Sequence, residues 1–583
     1  MQALRRAGLV VVFLVAGCDS APCVRGETQR CLCSGGRDGV QVCLAGGEGW
    51  DWCECGPDDT DSGTPGEDGG VPTDGARPGV DGGDVDAGSP LRPPPQTCTE
   101  VDYPGTVHNV VDDGVAIDTN ADQTAILQRI VDNANSGDVI RFPGLGAGHY
   151  VRMDGPVRIT KPIVLLGSGD DSALEIRTRN GFIINADQVV VDGLFITGTG
   201  YGDVDLSQGA IRWGTASASD FRSGITVRRN RITDNPASAL TARYWRDVLV
   251  ECNTMERLTY GGVFLSVTHD VVIRHNVIRE IGDNPESVRE RGTSGAIIAY
   301  PILVTAAGGL AGSPATWALI YDNVLESAEW QGIHNHGCHD FIAFDNLLVD
   351  QTHGLQGVAY SYGSMPRFRF TGQMYINNEI RNTRTYIAAI DKADDARFIG
   401  NRVTGTYARS NDMMRVFGSS SGATVYGNRV DVSTAFQADG IVRIFDATGP
   451  NDAYYVGRNF VDGVRTDAVL FSGRGSGPGA PVEAPPAPVD VRLEPSTEGA
   501  WLTWDFGEDP HDSFEVEVDS GDGWTPRAFR PPASNAMART LENNDAYEGF
   551  NAREYFLRNF AGDRVRIRAN NRLASSDWVE ASL

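Results

Sequence analysis

Nine times between residues 225 and 465 a short apolar stretch leads into an asparagine that is followed two positions on by another apolar side chain. The stretches are "VRRNRI" (Asn230), "VECNTM" (Asn253), "IRHNVI" (Asn276), "IYDNVL" (Asn323), "AFDNLL" (Asn346), "YINNEI" (Asn378), "FIGNRV" (Asn401), "VYGNRV" (Asn428) and "YVGRNFV" (Asn459). Their intervals are 23, 23, 47, 23, 32, 23, 27 and 31 residues, a base period of 23 with insertions. A fixed period of this length means stacked units that bury their apolar faces against each other. One period, "GGVFLSVTHDVVIRHNVIREIG", holds short alternating strands separated by tight turns. Three strands per coil, with coils stacked ~4.8 Å apart, build parallel sheets. The asparagine suits such a coil because it tolerates a left-handed turn and its amide can bond the coil above or below, forming a ladder.

Ahead of the repeat stand "IDTNADQTAILQRIVDNANSGDVIRFPG", "GHYVRM" and "ITKPIVLLGSG". With the repeat, these segments resemble the right-handed parallel β-helix, or pectin-lyase-like, superfamily over about residues 105–475. The resemblance implies an amphipathic helix closing the open end of the solenoid, where bare sheet edges would invite aggregation. The expected fold is all-β: a right-handed three-sheet parallel β-helix solenoid with an N-terminal capping helix, plus a C-terminal β-sandwich.

The flanks have other compositions. Arg5 and Arg6, the apolar run Ala7–Ala16 and "LVAGC" resemble a bacterial lipoprotein signal, which implies export, lipidation at Cys18 and membrane attachment through that lipid. The expected location is the cell envelope, at the outer membrane or the cell surface. Cys23, Cys31, Cys33, Cys43, Cys53 and Cys55 then read as three disulfides in residues 18–56, with connectivity open. Cys98, Cys252 and Cys338 are left without an assigned pairing. Residues 57–97 are Asp, Gly, Pro and Thr with little to bury, hence a flexible linker. The hinge "GSGPGAPVEAPPAP" closes the central body of residues 98–475. Residues 489–583 alternate like a β-sandwich and resemble a fibronectin type III module, with Trp504 in its core. The net charge of −27 argues against a nucleic-acid partner. Much of that charge lies outside the central body, so an anionic substrate remains compatible. The expected partner is extracellular polysaccharide, bound by a monomer.

Members of the resembled superfamily that act on polysaccharides place substrate along one sheet, across consecutive coils. Here the aligned strands include "GGVFLSV", "GAIIAYP", "QGIHNHG", "HGLQGVAY" and "IAAIDK". The 47-residue interval holds two extra loops, "DNPESVRERGTS" and "ILVTAAGGLAGSPATW", and the 32-residue interval adds "SYGSMPRFRFTGQ". Long loops beside one strand are what a groove requires. Alternation points Val263, Leu265 and Ile333 inward, and His334 and His336 outward. Thr241, Arg243, Ile298, Tyr300, Gln356, Ala389, Asp391 and Arg415 are expected on the same face, with Lys392 at a strand end. Removing the proton α to a uronate carboxylate needs a base, a neutralising cation and often an acid. His336 fits the base, Arg243, Arg415 or Lys392 the neutraliser, and Tyr300 the acid. "GIHNHG" also resembles the alginate C5-epimerase motif Gly-(Ile/Phe)-Asp-Pro-His. His336 stands at that motif's histidine, while His334 and Asn335 replace its aspartate and proline. Two alternatives use the same face. The histidine pair suits a transition metal with help from His339. Asp391, Asp394, Asp395 and Glu329 suit a hydrolase's paired carboxylates. No cofactor is required by the reading, and calcium is kept open. A non-catalytic surface protein that binds glycan or partner proteins is the reading from another class.

Overall fold

A computed structural model describes the backbone of three short strands within residues 28–55 and most of the chain from residue 98 onward. Segments 201–207, 215–219, 283–299, 306–314, 359–369, 384–386, 406–413, 418–421, 433–441, 446–454, 473–482, 508–512 and 532–552, some shorter gaps and Lys392 lie outside the described residues. Cys18 and Ile298 lie outside them too, as do the side chains of the six clustered cysteines. The chain divides into two compact units, Met1–Ala87 and Gly88–Leu583. In the first, Thr28–Leu32, Asp38–Val42 and Glu54–Cys55 form an antiparallel sheet. No described helix is long and apolar enough to cross a membrane.

The second unit is a right-handed parallel β-helix followed by an antiparallel β-sandwich. Each coil gives one strand to each of three sheets, which contain 12, 13 and 13 described strands. The 12-stranded sheet, from Val157–Ile159 to Val469–Ser472, is called the groove sheet below. The docking sheet runs from Val107–Asn109 to Tyr455–Gly457, and the third sheet starts at Tyr150–Met153. Inward side chains stack in register: Leu240, Val263, Ile302, Ile333 and Leu355 follow one another along the groove sheet, all in the core. The helix Thr124–Asn133 closes the open end, burying Leu127, Ile130 and Val131. Its Gln128 side chain bonds both the backbone N–H and the C=O of Arg158, and Lys161 Nζ donates to Asp132 and Ala134 carbonyls at its C-terminus.

All nine repeat asparagines form one continuous ladder at the corner between the docking and third sheets. Each Oδ1 from Asn253 to Asn459 accepts from the backbone N–H and the side-chain amide of the preceding asparagine at 2.8–3.2 Å. One part of the expectation is corrected. The left-handed residue is not the asparagine but the one before it: Arg229, Cys252, His275, Asp322, Asp345, Asn377, Gly400, Gly427 and Arg458 all have φ of 51–69°. The reversal there turns the asparagine inward to be buried and leaves its predecessor projecting outward.

That outward row carries the rest of the unit. Cys252 is disulfide-bonded to Cys98, which resolves two of the three unassigned cysteines, and Cys338 is a buried free thiol. The segment after Cys98 is also held by Arg228 donating to the Thr99 carbonyl and by Tyr103 donating to Asp192 at 2.7 Å. Farther along, the sandwich sits on the same row. Arg530 pairs with Asp345 at 2.8 Å, and the Asn377 amide bonds both the N–H and the C=O of Phe529. The Phe529 ring lies over Gly400 and Gly427, where a Cβ would collide with it. Arg458 faces Glu515, and the Tyr426 hydroxyl bonds Ser513. The second hinge therefore does not free the C-terminal region, which packs on the solenoid. Its two sheets enclose a core of Leu502, Trp504, Phe514, Leu557 and Ile567.

Candidate functional site

The groove sheet's outer face is set by a break in alternation. Gly262, Gly332 and Gly354 and the residues after them both face the core: a Cβ on those glycines would meet Ile278, Leu348 and Ile380. The positions just before them, Gly261, Gln331 and His353, therefore turn outward. Two inward residues in succession are tolerated because the first lacks a side chain.

This break corrects one strand. The expected "GAIIAYP" is instead Tyr300–Thr305, with Ile302 opposite Val263 and Ile333. Leu303 and Thr305 flank His334 and His336, whereas Tyr300 starts its strand in the row of Gly261. The loop after this strand begins beyond Thr305. Distance counted to the asparagine had shifted the register because both insertions fall within that one interval. His339, the expected helper of a metal site, belongs to the docking-sheet strand Cys338–Phe344, where Nδ1 contacts Thr371, apart from the other two histidines.

Around His334 the outer face is a block of three positions by three strands. Tyr300, Leu303 and Thr305 lie on one side, and His353, Gln356 and Val358 on the other, with Gln331, His334 and His336 between. The His334 ring is 5.1 Å from Tyr300 and 5.0 Å from His336. His336 Nδ1 lies 3.1 Å from the Thr305 hydroxyl, and Trp330 packs on His353 at 4.8 Å. Tyr260 and Phe264 extend the aromatic rim. The face is buried: His334 is 2% and His336 8% exposed. Both ring nitrogens of His334, the amide oxygens of Gln331 and Gln356, and Nε of Arg243 are buried without a hydrogen-bond partner. Unpaired buried polar atoms are costly, so a cluster of them on one outward face is a candidate ligand site.

The other candidates lie farther out along the coils. Asp391 occupies the His336 row two strands away, about 10 Å at the strand spacing. Arg243 lies three strands away on the other side, and Arg415 three strands from His334 in its row, each about 14 Å. Ala389 and Thr241 also lie in the His334 row. Asp394 belongs to the short strand Ala393–Asp394 with Asp395 beyond it, and Glu329 to the turn before Trp330. The structure thus joins Tyr300 to the histidine pair and leaves Arg243, Asp391 and Arg415 at the flanks. Among the described residues no three His, Cys, Asp or Glu side chains converge as metal ligands. No step through calcium or a transition metal is derived. Gln331 and Gln356 complete the row of unpartnered atoms; the x-Gly-apolar signature of "QGI" and "HGL" was the available signal for the outward turn that exposes Gln331 and His353.

Burial holds the imidazoles neutral. It depresses His336 to about 3 and His353 to about 4, and His334 well below its ordinary range with further lowering from the neighbouring imidazoles. His275, buried elsewhere beside Arg274, falls to about 3. An unfolded chain binds these protons near pH 6.5 while the native chain refuses them until about pH 3–4. Stability is therefore full above pH 6.5 and falls as pH drops through that window. Urea midpoints should decline between pH 6.5 and 5, before most carboxylates titrate, and His275→Gln should flatten the slope. A midpoint unchanged from pH 7 to 5 would contradict the buried neutral state.

No family model matches this chain, and no curated protein matches it. Solved structures do. The catalytic unit of an α-1,3-glucanase from Streptomyces thermodiastaticus aligns at 16% identity and a TM-score of 0.35, covering 66% of this chain and 70% of its own. A Yersinia enterocolitica exopolygalacturonase aligns at 11% and 0.39, covering 65% and 80%. The A-module of the Azotobacter vinelandii mannuronan C-5 epimerase aligns at 13% and 0.37, covering 64% and 100%. The likeness is one of fold and carries nothing about this chain's chemistry.

Proposed function

We propose that this protein acts on an extracellular polysaccharide lying across the coils of the groove sheet, as a lyase or C5-epimerase of uronate-containing chains. In this reading it is exported and held at the cell envelope by lipid on Cys18, and the docked C-terminal module, fibronectin type III-like in pattern, is a rigid brace. The observation that carries the reading is the row of buried, outward-facing polar groups without protein partners: Arg243, Gln331, His334 and Gln356. His336 is unprotonated at neutral pH, the form a base needs. Its low basicity is a handicap that a bound carboxylate would relieve by favouring the imidazolium. His336 takes the C5 proton. The electron pair then either expels the C4 oxygen, which leaves with a proton from Tyr300, or takes a proton from water on the opposite face while His336 returns its own to solvent.

The second reading, a non-catalytic glycan-binding surface protein, is favoured by the three strands, about 14 Å of sheet, between the histidine pair and the nearest described arginine positions of this face, Arg243 and Arg415. Purified protein is incubated with a panel of uronate polymers, following absorbance of the unsaturated product and exchange of the C5 proton with solvent. Turnover is expected on at least one polymer and should drop by about 100-fold or more in His336→Gln. Binding without either signal leaves the second reading standing. Activity untouched by His336→Gln removes His336 as the base.

A further inference from the structure

The proposed groove has a centre that differs from its ends. His334 occupies the middle position of the three-by-three block, and none of the nine positions holds an aspartate, glutamate, lysine or arginine. Two strands beyond His336 comes Asp391, and three strands to either side come Arg243 and Arg415. What the centre offers is a neutral imidazole, with one donor and one acceptor, and two amide oxygens without partners, from Gln331 and Gln356. A carboxylate suits these atoms poorly. The amide oxygens repel it, and no cation stands within the block; Arg415, whose charge is felt at His353 on the block's edge, starts three strands from His334. A sugar hydroxyl suits them well, since it donates and accepts at once. Beside the polar atoms stand the Tyr300 ring, 5.1 Å from His334, and Trp330 against His353. A polar edge next to an aromatic one complements a pyranose, which has a hydroxyl rim and an apolar C–H face.

We infer that His334, Gln331 and Gln356 form a subsite for an uncharged sugar unit, so that the substrate is a mixed chain pairing neutral sugars with uronates. This rests on the groove reading above and adds the composition of the glycan: the neutral unit lies over Gln331, His334 and Gln356, the uronate that loses its C5 proton is the next unit, at His336, and the oxygen that Tyr300 protonates is the one joining the two. The arginines, about 14 Å away on both sides, then meet the charged units, and the centre selects against an unbroken run of them.

Titration calorimetry on the whole protein tests this with three probes: a neutral manno-oligosaccharide, a homo-uronate oligomer and an oligomer alternating neutral sugar and uronate. The alternating oligomer should bind tightest. His334→Phe, which keeps a planar ring, and Gln356→Leu should each weaken it by about tenfold and weaken the homo-uronate oligomer by clearly less. Two variants on different strands protect the test against a folding defect in one, and unchanged near-ultraviolet dichroism checks each. If the homo-uronate oligomer binds tightest, or both variants weaken it as much as the alternating one, the neutral subsite is wrong while the groove survives. If no oligosaccharide binds, the groove reading falls and takes the subsite with it.

Discussion

Asn323→Ala is expected to cost about 3–5 kcal/mol and to lower the melting temperature of the whole β-helix, although the residue touches no groove position. Its Oδ1 accepts from the backbone N–H and side chain of Asn276, and its Nδ2 donates to the carbonyls of Ile273 and Tyr321 and to Asn346 Oδ1. The site is fully buried. Truncation strands several of those groups without water, at about 1–3 kcal/mol each. Asn323→Asp should be no better. It keeps the acceptor but loses the donor, and sets a buried carboxylate against two carbonyls. Chemical denaturation of the two variants against the parent decides the matter. A loss below about 1 kcal/mol for Asn323→Ala would mean that the ladder is ornament, and that apolar stacking alone holds the coils.

The second large effect is expected where the sandwich meets the solenoid. Asp345 and Arg530 are 3% and 11% exposed at the side chain, 2.8 Å apart, with the guanidinium over the rings of Phe344 and Tyr555. Asp345→Ala leaves an unpaired buried cation, which costs about 3–5 kcal/mol. Undocking also uncovers apolar outward side chains of the docking sheet such as Phe344, Tyr426 and Ile399, which cluster with Phe529. Asp345→Ala should split a single thermal transition into two. Asp345→Ala combined with Arg530→Met should recover much of the loss, because the stranded charge is gone. One unchanged transition in Asp345→Ala would show that the aromatic and glycine contacts suffice for docking.

How far the chain could be read in advance depended on whether a feature was local. The period of 23, the nine ladder asparagines and the inward Val263, Leu265 and Ile333 were legible, since each repeats a pattern that one coil already contains; the cap helix Thr124–Asn133 was expected from the resemblance. The left-handed residue before each asparagine was missed because its identity varies from Arg to Cys to Gly. An outward residue is chosen by what lies outside it, and these meet a disulfide partner, ion-pair partners, a strand backbone and an aromatic ring. Tyr300 was placed on the right face but in the wrong row, because two insertions in one interval removed the spacing that fixed the count. The pairing of Cys98 with Cys252 joins positions 154 residues apart and left no local trace.

Solenoid geometry was thus settled by sequence alone: every coil repeats the same inward apolar pattern and the same buried amide, and that repetition needs no knowledge of distant residues. Only the tertiary structure decided which outward faces are occupied. It set Cys98 and the sandwich on the row beside the asparagine ladder and left unpartnered polar atoms on the groove sheet. It also showed the histidine pair to be neutral and ringed by uncharged groups, with the charges at the flanks. The reason is that burial and pairing are properties of neighbours brought together across coils, and the neighbours of His334 come from strands that the sequence separates by loops of unequal length.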